Sequence, residues 1–198
     1  KTTKTLFSIA LGVSDKLDTL VGFFGINQKP TSSKDPYALR RAALGVIRLV
    51  VENNKEFKIK DLIIYASSLH IDQGLKFSNE FLQKELTYFL LDRLKYYMKE
   101  KKIRLDIIEA SINSYGIDQM NKIYRKALAL NNVINKQLGN DIVLSYRRAS
   151  NILESELKDN QLELSNTTDP GIFKNDFEKN LLKKINQLKK YFSNINKD

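Results

Sequence analysis

The sequence predicts an all-α fold: a multi-helix bundle followed by a smaller helical segment. Three observations carry this. Apolar residues recur at i, i+3 and i+4 along almost the whole chain. Alternating strand patterns are scarce. Residues suited to starting and stopping helices punctuate the apolar runs, among them Asp35-Pro36, Ser78, Gly25 and Gly116.

The elements follow in order. Leu6, Ile9, Val13, Leu17, Leu20, Val21 and Phe24 keep helical rhythm and predict a first helix ending near Gly25. A polar loop spans Asn27–Asp35. Asp35-Pro36 then reads as N-cap and first helical residue, because a carboxylate accepts free first-turn amides and proline loses no needed donor there. That second helix runs from Pro36 to about Asn53 and buries Leu39, Ala42, Ala43, Val46, Ile47 and Val50. A third covers Lys60–His70. Ser78 caps a fourth, Asn79 to about Lys101, with Phe81, Leu82, Leu86, Phe89, Leu90, Leu94 and Tyr97 inward. A fifth spans Arg104–Tyr115, a sixth Asp118–Leu138 and a seventh Asp141–Lys158, with Gly139 marking a domain boundary. Asn160–Lys174 reads as an exposed loop around Asp169-Pro170-Gly171. A final helix, Asp176–Ile195, carries Leu181, Leu182, Ile185, Leu188 and Phe192 on one side.

Composition excludes several functions. The 198 residues contain no Cys, no Trp and one His. Disulfide scaffolds, zinc fingers and thiol catalysis are therefore out. No apolar run reaches the ~18–20 residues of a membrane span. Lys1 replaces an initiator Met and no signal-peptide core follows, so a soluble cytoplasmic chain, or a piece of a longer one, is expected. The net charge is +10. Residues 1–105 hold 19 basic against 11 acidic residues, and residues 106–198 hold 14 against 12. A polyanion-facing surface is therefore expected in the first half, against the alternative of a solvated basic face.

No P-loop, dinucleotide-binding or nucleophile-elbow motif occurs. Asp15, Asp18 and Asp35 could hold a divalent ion, but a helical phosphohydrolase needs imidazoles beside its carboxylates. The lone His70 lies in a different helix and reads as a helix C-terminal residue favoured by the dipole. No catalytic residue and no metal ligand is assigned. Asp15-Lys16-Leu17-Asp18 reads either as an ion-pair cluster joining neighbouring helices or as an active-site remnant or RNA contact.

The sharpest basic feature is Arg40, Arg41 and Arg48. At 100° per residue Arg41 and Arg48 are almost in line, with Arg40 about a quarter-turn away. Lys29 and Lys34 precede them in the loop. This cationic face beside a helix N-terminus suits phosphate oxygens, or else pairs with acids of a neighbouring helix. Tyr146, Arg147, Arg148 and Asn151 form a second group able to stack on and hydrogen-bond an unpaired base.

Two sequence blocks carry a family resemblance. Ser14-Asp15-Lys16-Leu17-Asp18-Thr19-Leu20-Val21-Gly22-Phe23-Phe24 is similar to the ADKLDTLVGxF signature of the beta subunit of bacterial heterotetrameric glycyl-tRNA synthetase. The run Lys29–Gly45 resembles KPTGSKDPFALRRAALG of the same family, with Ser32 in place of a glycine. Phe89–Leu94 and Tyr146–Leu153 resemble two further segments. The resemblance implies a degenerate HD-like helical domain over residues 1–138. Residues 139–198 would be a linker and the beginning of a helical anticodon-binding domain. It implies that glycine activation with ATP and Mg takes place on a separate alpha subunit, with no cofactor on this chain. The implied partners are tRNA-Gly and that alpha subunit, in an alpha2beta2 assembly. The expected tRNA-binding residues are Lys29, Lys34, Arg40, Arg41 and Arg48 on phosphates, and Arg147, Arg148 and Asn151 near the anticodon side. The alternative is a contact module for the alpha chain with little direct contact to tRNA.

Overall fold

The computed structural model describes residues 2–113, 115–160 and 168–195. Every regular element among them is helical, so the predicted all-α bundle is the observed fold. By compactness the chain divides into residues 1–143 and 144–198.

In the first unit, α1 (Leu6–Gly25) starts where Thr5 Oγ1 accepts the Ser8 amide at 3.3 Å, and it buries Ile9, Val13, Leu17, Leu20, Val21 and Phe24. It matches the predicted helix at both ends. α2 (Leu39–Val51) starts three residues later than predicted. The cause is Ala38, which takes a left-handed conformation (φ 53°, ψ 34°) after the Asp35 carbonyl accepts its amide at 3.1 Å. The predicted capping chemistry survives this turn. The Asp35 carboxylate accepts the amides of Leu39 at 2.8 Å and Arg40 at 3.0 Å.

α3 (Ile59–Asp72) is capped from far along the chain, since Asp118 Oδ1 accepts the Lys60 amide at 2.9 Å. It ends where Gly74, at φ 96°, reverses the backbone so that Leu75 donates to the His70 carbonyl. α4 (Asn79–Glu100) buries Leu82, Leu86, Leu90 and Leu94 in an unbroken i, i+4 stripe that continues to Tyr97 and Met98. Phe81, expected inward, is 58% exposed. The first turn of α4 projects beyond the core, and the Phe81 ring lies under Lys29 Nζ at 4.8 Å.

α5 (Leu105–Ile112) is shorter than predicted, and a 3₁₀ turn, Ile117–Gln119, leads into α6 (Met120–Ile134). α7 (Gln137–Asn160) begins four residues before its predicted start and takes Gly139 into its first turn. Gly139 is therefore no helix break. A Cβ there would stand 2.2 Å from the Val133 carbonyl oxygen and 2.6 Å from Ile134 Cα, so its missing side chain lets α7 start hard against the end of α6.

α1 packs on α2, α3 and α4, α2 also on α4 and α6, and α5 on α4 and α6. Ile9, Leu20, Ile47, Ile63, Leu86 and Leu90 lie fully inside. Two buried polar side chains are paired across elements: Asn121 Nδ2 donates to Asn54 Oδ1 at 2.8 Å, and Ser67 donates to Asn79 Oδ1 at 2.6 Å.

The second unit contains the later part of α7, a 3₁₀ turn at Pro170–Ile172, and α8 (Asp176–Ile195), whose bounds match the prediction. Of the predicted loop 160–174, residues 161–167 lie outside the described residues. α8 opens with a reciprocal cap: Asn175 Oδ1 accepts the Glu178 amide at 3.1 Å and Glu178 Oε2 accepts the Asn175 amide at 3.3 Å. No residue of this unit whose side chain is described is buried.

Candidate nucleic-acid interface

The loop between α1 and α2 folds back on both helices. Phe23 and Tyr37 stack with ring centroids 4.2 Å apart. The Thr31 amide donates to the Lys34 carbonyl at 2.9 Å, and Thr31 Oγ1 accepts the Lys34 amide at 3.2 Å. The Arg40 guanidinium donates to the Thr31 carbonyl. This set fixes the loop against the start of α2.

Beside it lies a cleft of about 530 Å³ walled by α1 and α2. The structure brings Arg40, Arg41 and Arg48 together there, as the 100° spacing predicts. Arg41 and Arg48 are exposed and make no ion pair among the described residues. Arg40 is half-buried and spends its guanidinium on the loop. The first amides of α2 do not face an anion, because the Asp35 carboxylate occupies those of Leu39 and Arg40. Side chains, not the helix N-terminus, supply the positive field of this cleft.

Lys34 is exposed in the loop. Lys29 points away toward α4, with Nζ 2.9 Å from Glu85 Oε2 and 4.8 Å from the Phe81 ring centroid. Arg147, Arg148 and Asn151 are exposed along α7 in the second unit, beside a Tyr146 that is 73% exposed.

One cleft residue is absent from the predicted set. Lys16 reaches the cleft from α1, and its stem crosses α2 over Gly45, where a Cβ would meet Cε at 2.6 Å and Cδ at 2.7 Å. The sequence signal was a glycine inside an amphipathic helix, which marks a close approach. Nothing in the sequence says what approaches.

Within the Asp-Lys-Leu-Asp run, Asp18 meets a neighbouring helix. His70 Nε2 lies 3.1 Å from Asp18 Oδ1, joining α3 to α1, and the ring packs against Gly22. His70 does sit in the last turn of α3, as expected, but its partner is a side chain on another helix. Among the described residues no group of three or more His, Asp or Glu side chains converges as metal ligands. No described helix is long and apolar enough to cross a membrane.

Comparison with known proteins places this bundle. Residues 1–113 match the family described as glycyl-tRNA synthetase beta subunit. That match defines the class as the aminoacyl-tRNA synthetases. The glycine–tRNA ligase beta subunit of Cereibacter sphaeroides strain ATCC 17029 is 38% identical, over 88% of this chain and 25% of the relative. Those of Ruegeria sp. strain TM1040 and Paracoccus denitrificans are 40% and 36% identical, over 77% and 88% of this chain and 21% and 24% of their own lengths. The chain belongs to the glycyl-tRNA synthetase beta subunit family. It spans about a quarter of the length of these curated relatives.

Proposed function

We propose that this chain binds and positions tRNA-Gly, in the cytoplasm, for ATP-dependent glycylation carried out on a separate alpha subunit. The observation that carries this is the exposed, unpaired Arg41 and Arg48 in one cleft of a chain belonging to a beta-subunit family. Lys34, Arg41 and Arg48 contact backbone phosphates. Arg40 shapes the loop that presents them, and Lys29 joins the RNA contacts by giving up its pair with Glu85. Arg147, Arg148 and Asn151 hold the anticodon side. Residues 1–138 act as a degenerate HD-like domain, and residues 139–198 begin an anticodon-binding domain. ATP and Mg belong to the alpha subunit of an alpha2beta2 enzyme.

Such contacts orient RNA without entering bond chemistry, and each neutralised phosphate steepens the salt dependence of binding by about one unit of log affinity against log salt. The test is tRNA titration across a salt series with Arg41→Ala plus Arg48→Ala. The slope is expected to fall, by up to about one unit for each phosphate released. Unchanged affinity and slope would assign both arginines to another role.

A second reading, a contact module for the alpha chain, draws on the apolar side chains displayed by α8, including Phe177, Leu181 and Leu188. Capture of the alpha subunit with tRNA absent separates the two. Binding that survives the arginine substitutions and needs no RNA favours the contact module.

A further inference from the structure

We propose that Lys16, Arg41 and Arg48 form one three-cation cradle, between α1 and α2, for a single phosphate group. The inference rests on the tRNA-binding reading and adds to it the anchoring residue from α1. All three side chains line the same cleft. The other charges at the cleft are already committed: Asp35 to the amides of α2 and Arg40 to the Thr31 carbonyl. That leaves Lys16, Arg41 and Arg48 without a neutralising partner across the cleft. Among the described residues, the one ion pair of Lys16 is with its sequence neighbour Asp15, at 3.4 Å, and that carboxylate is 71% exposed. A pair so open to water holds Lys16 weakly and leaves it free to take an anion.

Gly45 makes the arrangement a built one. Glycine in a helix interior is less favourable than alanine. Here its missing Cβ is the space occupied by the Lys16 stem, at 2.6–2.7 Å from where that Cβ would stand. α2 thus forgoes helix propensity to let a lysine of α1 cross it and deliver its ammonium beside two guanidinium groups. Arg41 and Arg48 are two turns apart on α2, and Lys16 enters from the side between them at Gly45. Three donors from two helices can converge on the oxygens of one tetrahedral group.

The experiment measures tRNA affinity across a salt series, and stabilisation by inorganic pyrophosphate, on this chain. The variants are Lys16→Ala, Gly45→Ala, Arg41→Ala and, as a remote control on α6, Lys122→Ala. Lys16→Ala is expected to weaken tRNA binding about as much as Arg41→Ala, and each to lower the salt slope by less than about one unit, because the three cations share one phosphate. Gly45→Ala retains every charge and displaces only the Lys16 stem, so a smaller loss in the same direction is expected, with helical content unchanged. Lys122→Ala is expected to leave the slope within error. The cradle is overturned if Lys16→Ala and Gly45→Ala bind like the parent chain, or if Lys122→Ala loses as much as Lys16→Ala. Loss through Arg41→Ala alone would keep the tRNA reading and discard the cradle. Lys16-dependent stabilisation by pyrophosphate without tRNA binding would keep the cradle and discard the tRNA reading. Binding of neither probe overturns both.

Discussion

The Tyr97 hydroxyl donates to Glu52 Oε1 at 3.4 Å from a ring that is almost wholly inside the bundle. Burial first, and the neighbouring Glu52 carboxylate second, push this phenol up to about 12 from 10.0. Burial shifts Tyr124, whose ring lies 5.7 Å away, in the same direction. A tyrosine in the unfolded chain loses its proton near pH 10, while the folded one keeps it. Between those values the folded state holds more protons, so stability falls as pH rises through about 10 to 12 and is unaffected by this group below that window. Denaturant titrations of the parent chain and Tyr97→Phe above about pH 9 check this. The variant is expected to lose stability less steeply, and equal slopes would remove Tyr97 as a source. Glu52 and Tyr97 meet only through the packing of α2 against α4, so no spacing in the sequence announces the pair. The Arg41–Arg48 face differs because both residues share one helix, whose period is enough to align them. Lys16 again depends on a crossing between helices.

Helix interiors are legible from sequence, and helix ends only where a local cap or stop signal sits beside them. α1 and α8 carry local stop signals or caps and fall where their periodicity puts them. The start of α2 was misplaced because Asp35 caps through an intervening turn with Ala38 in the left-handed region, a conformation no alanine advertises. Gly139 was read as punctuation because glycine stops helices more often than it permits their contact. In the folded chain it is the point where α7 clears the last carbonyls of α6. Gly139→Ala therefore has a firm sign. The added methyl meets backbone, which cannot swing aside, and the cost of about 1–3 kcal/mol exceeds the gain in helix propensity of about 1 kcal/mol. Urea unfolding is expected to show a lowered midpoint with an unchanged slope. A raised midpoint would mean that the α6–α7 junction opens freely.

The two units differ in what holds them. Residues 1–143 own an interior built on Ile9, Leu20, Ile47, Leu86 and Leu90, while α8 leaves Phe177 86% exposed and Leu181, Ile185 and Leu188 open as well. A helix without burial draws only on propensity and caps, which are marginal for about 20 residues in water. Amides in the middle of α8 are expected to exchange at least about a hundredfold faster than those around Leu86–Leu90 of α4. Equal protection would reveal a contact holding α8. The cap that Asp118 provides by accepting the Lys60 amide bears on how the larger unit is made. On the ribosome α3 emerges long before its cap, and Ile117, which is wholly enclosed and stands on the turn that packs on α3, emerges with that cap. A nascent chain that has exposed only the first four helices holds α3 with an open first turn and a gap where Ile117 will sit. The larger unit is therefore completed only once residues 117 and 118 have joined it.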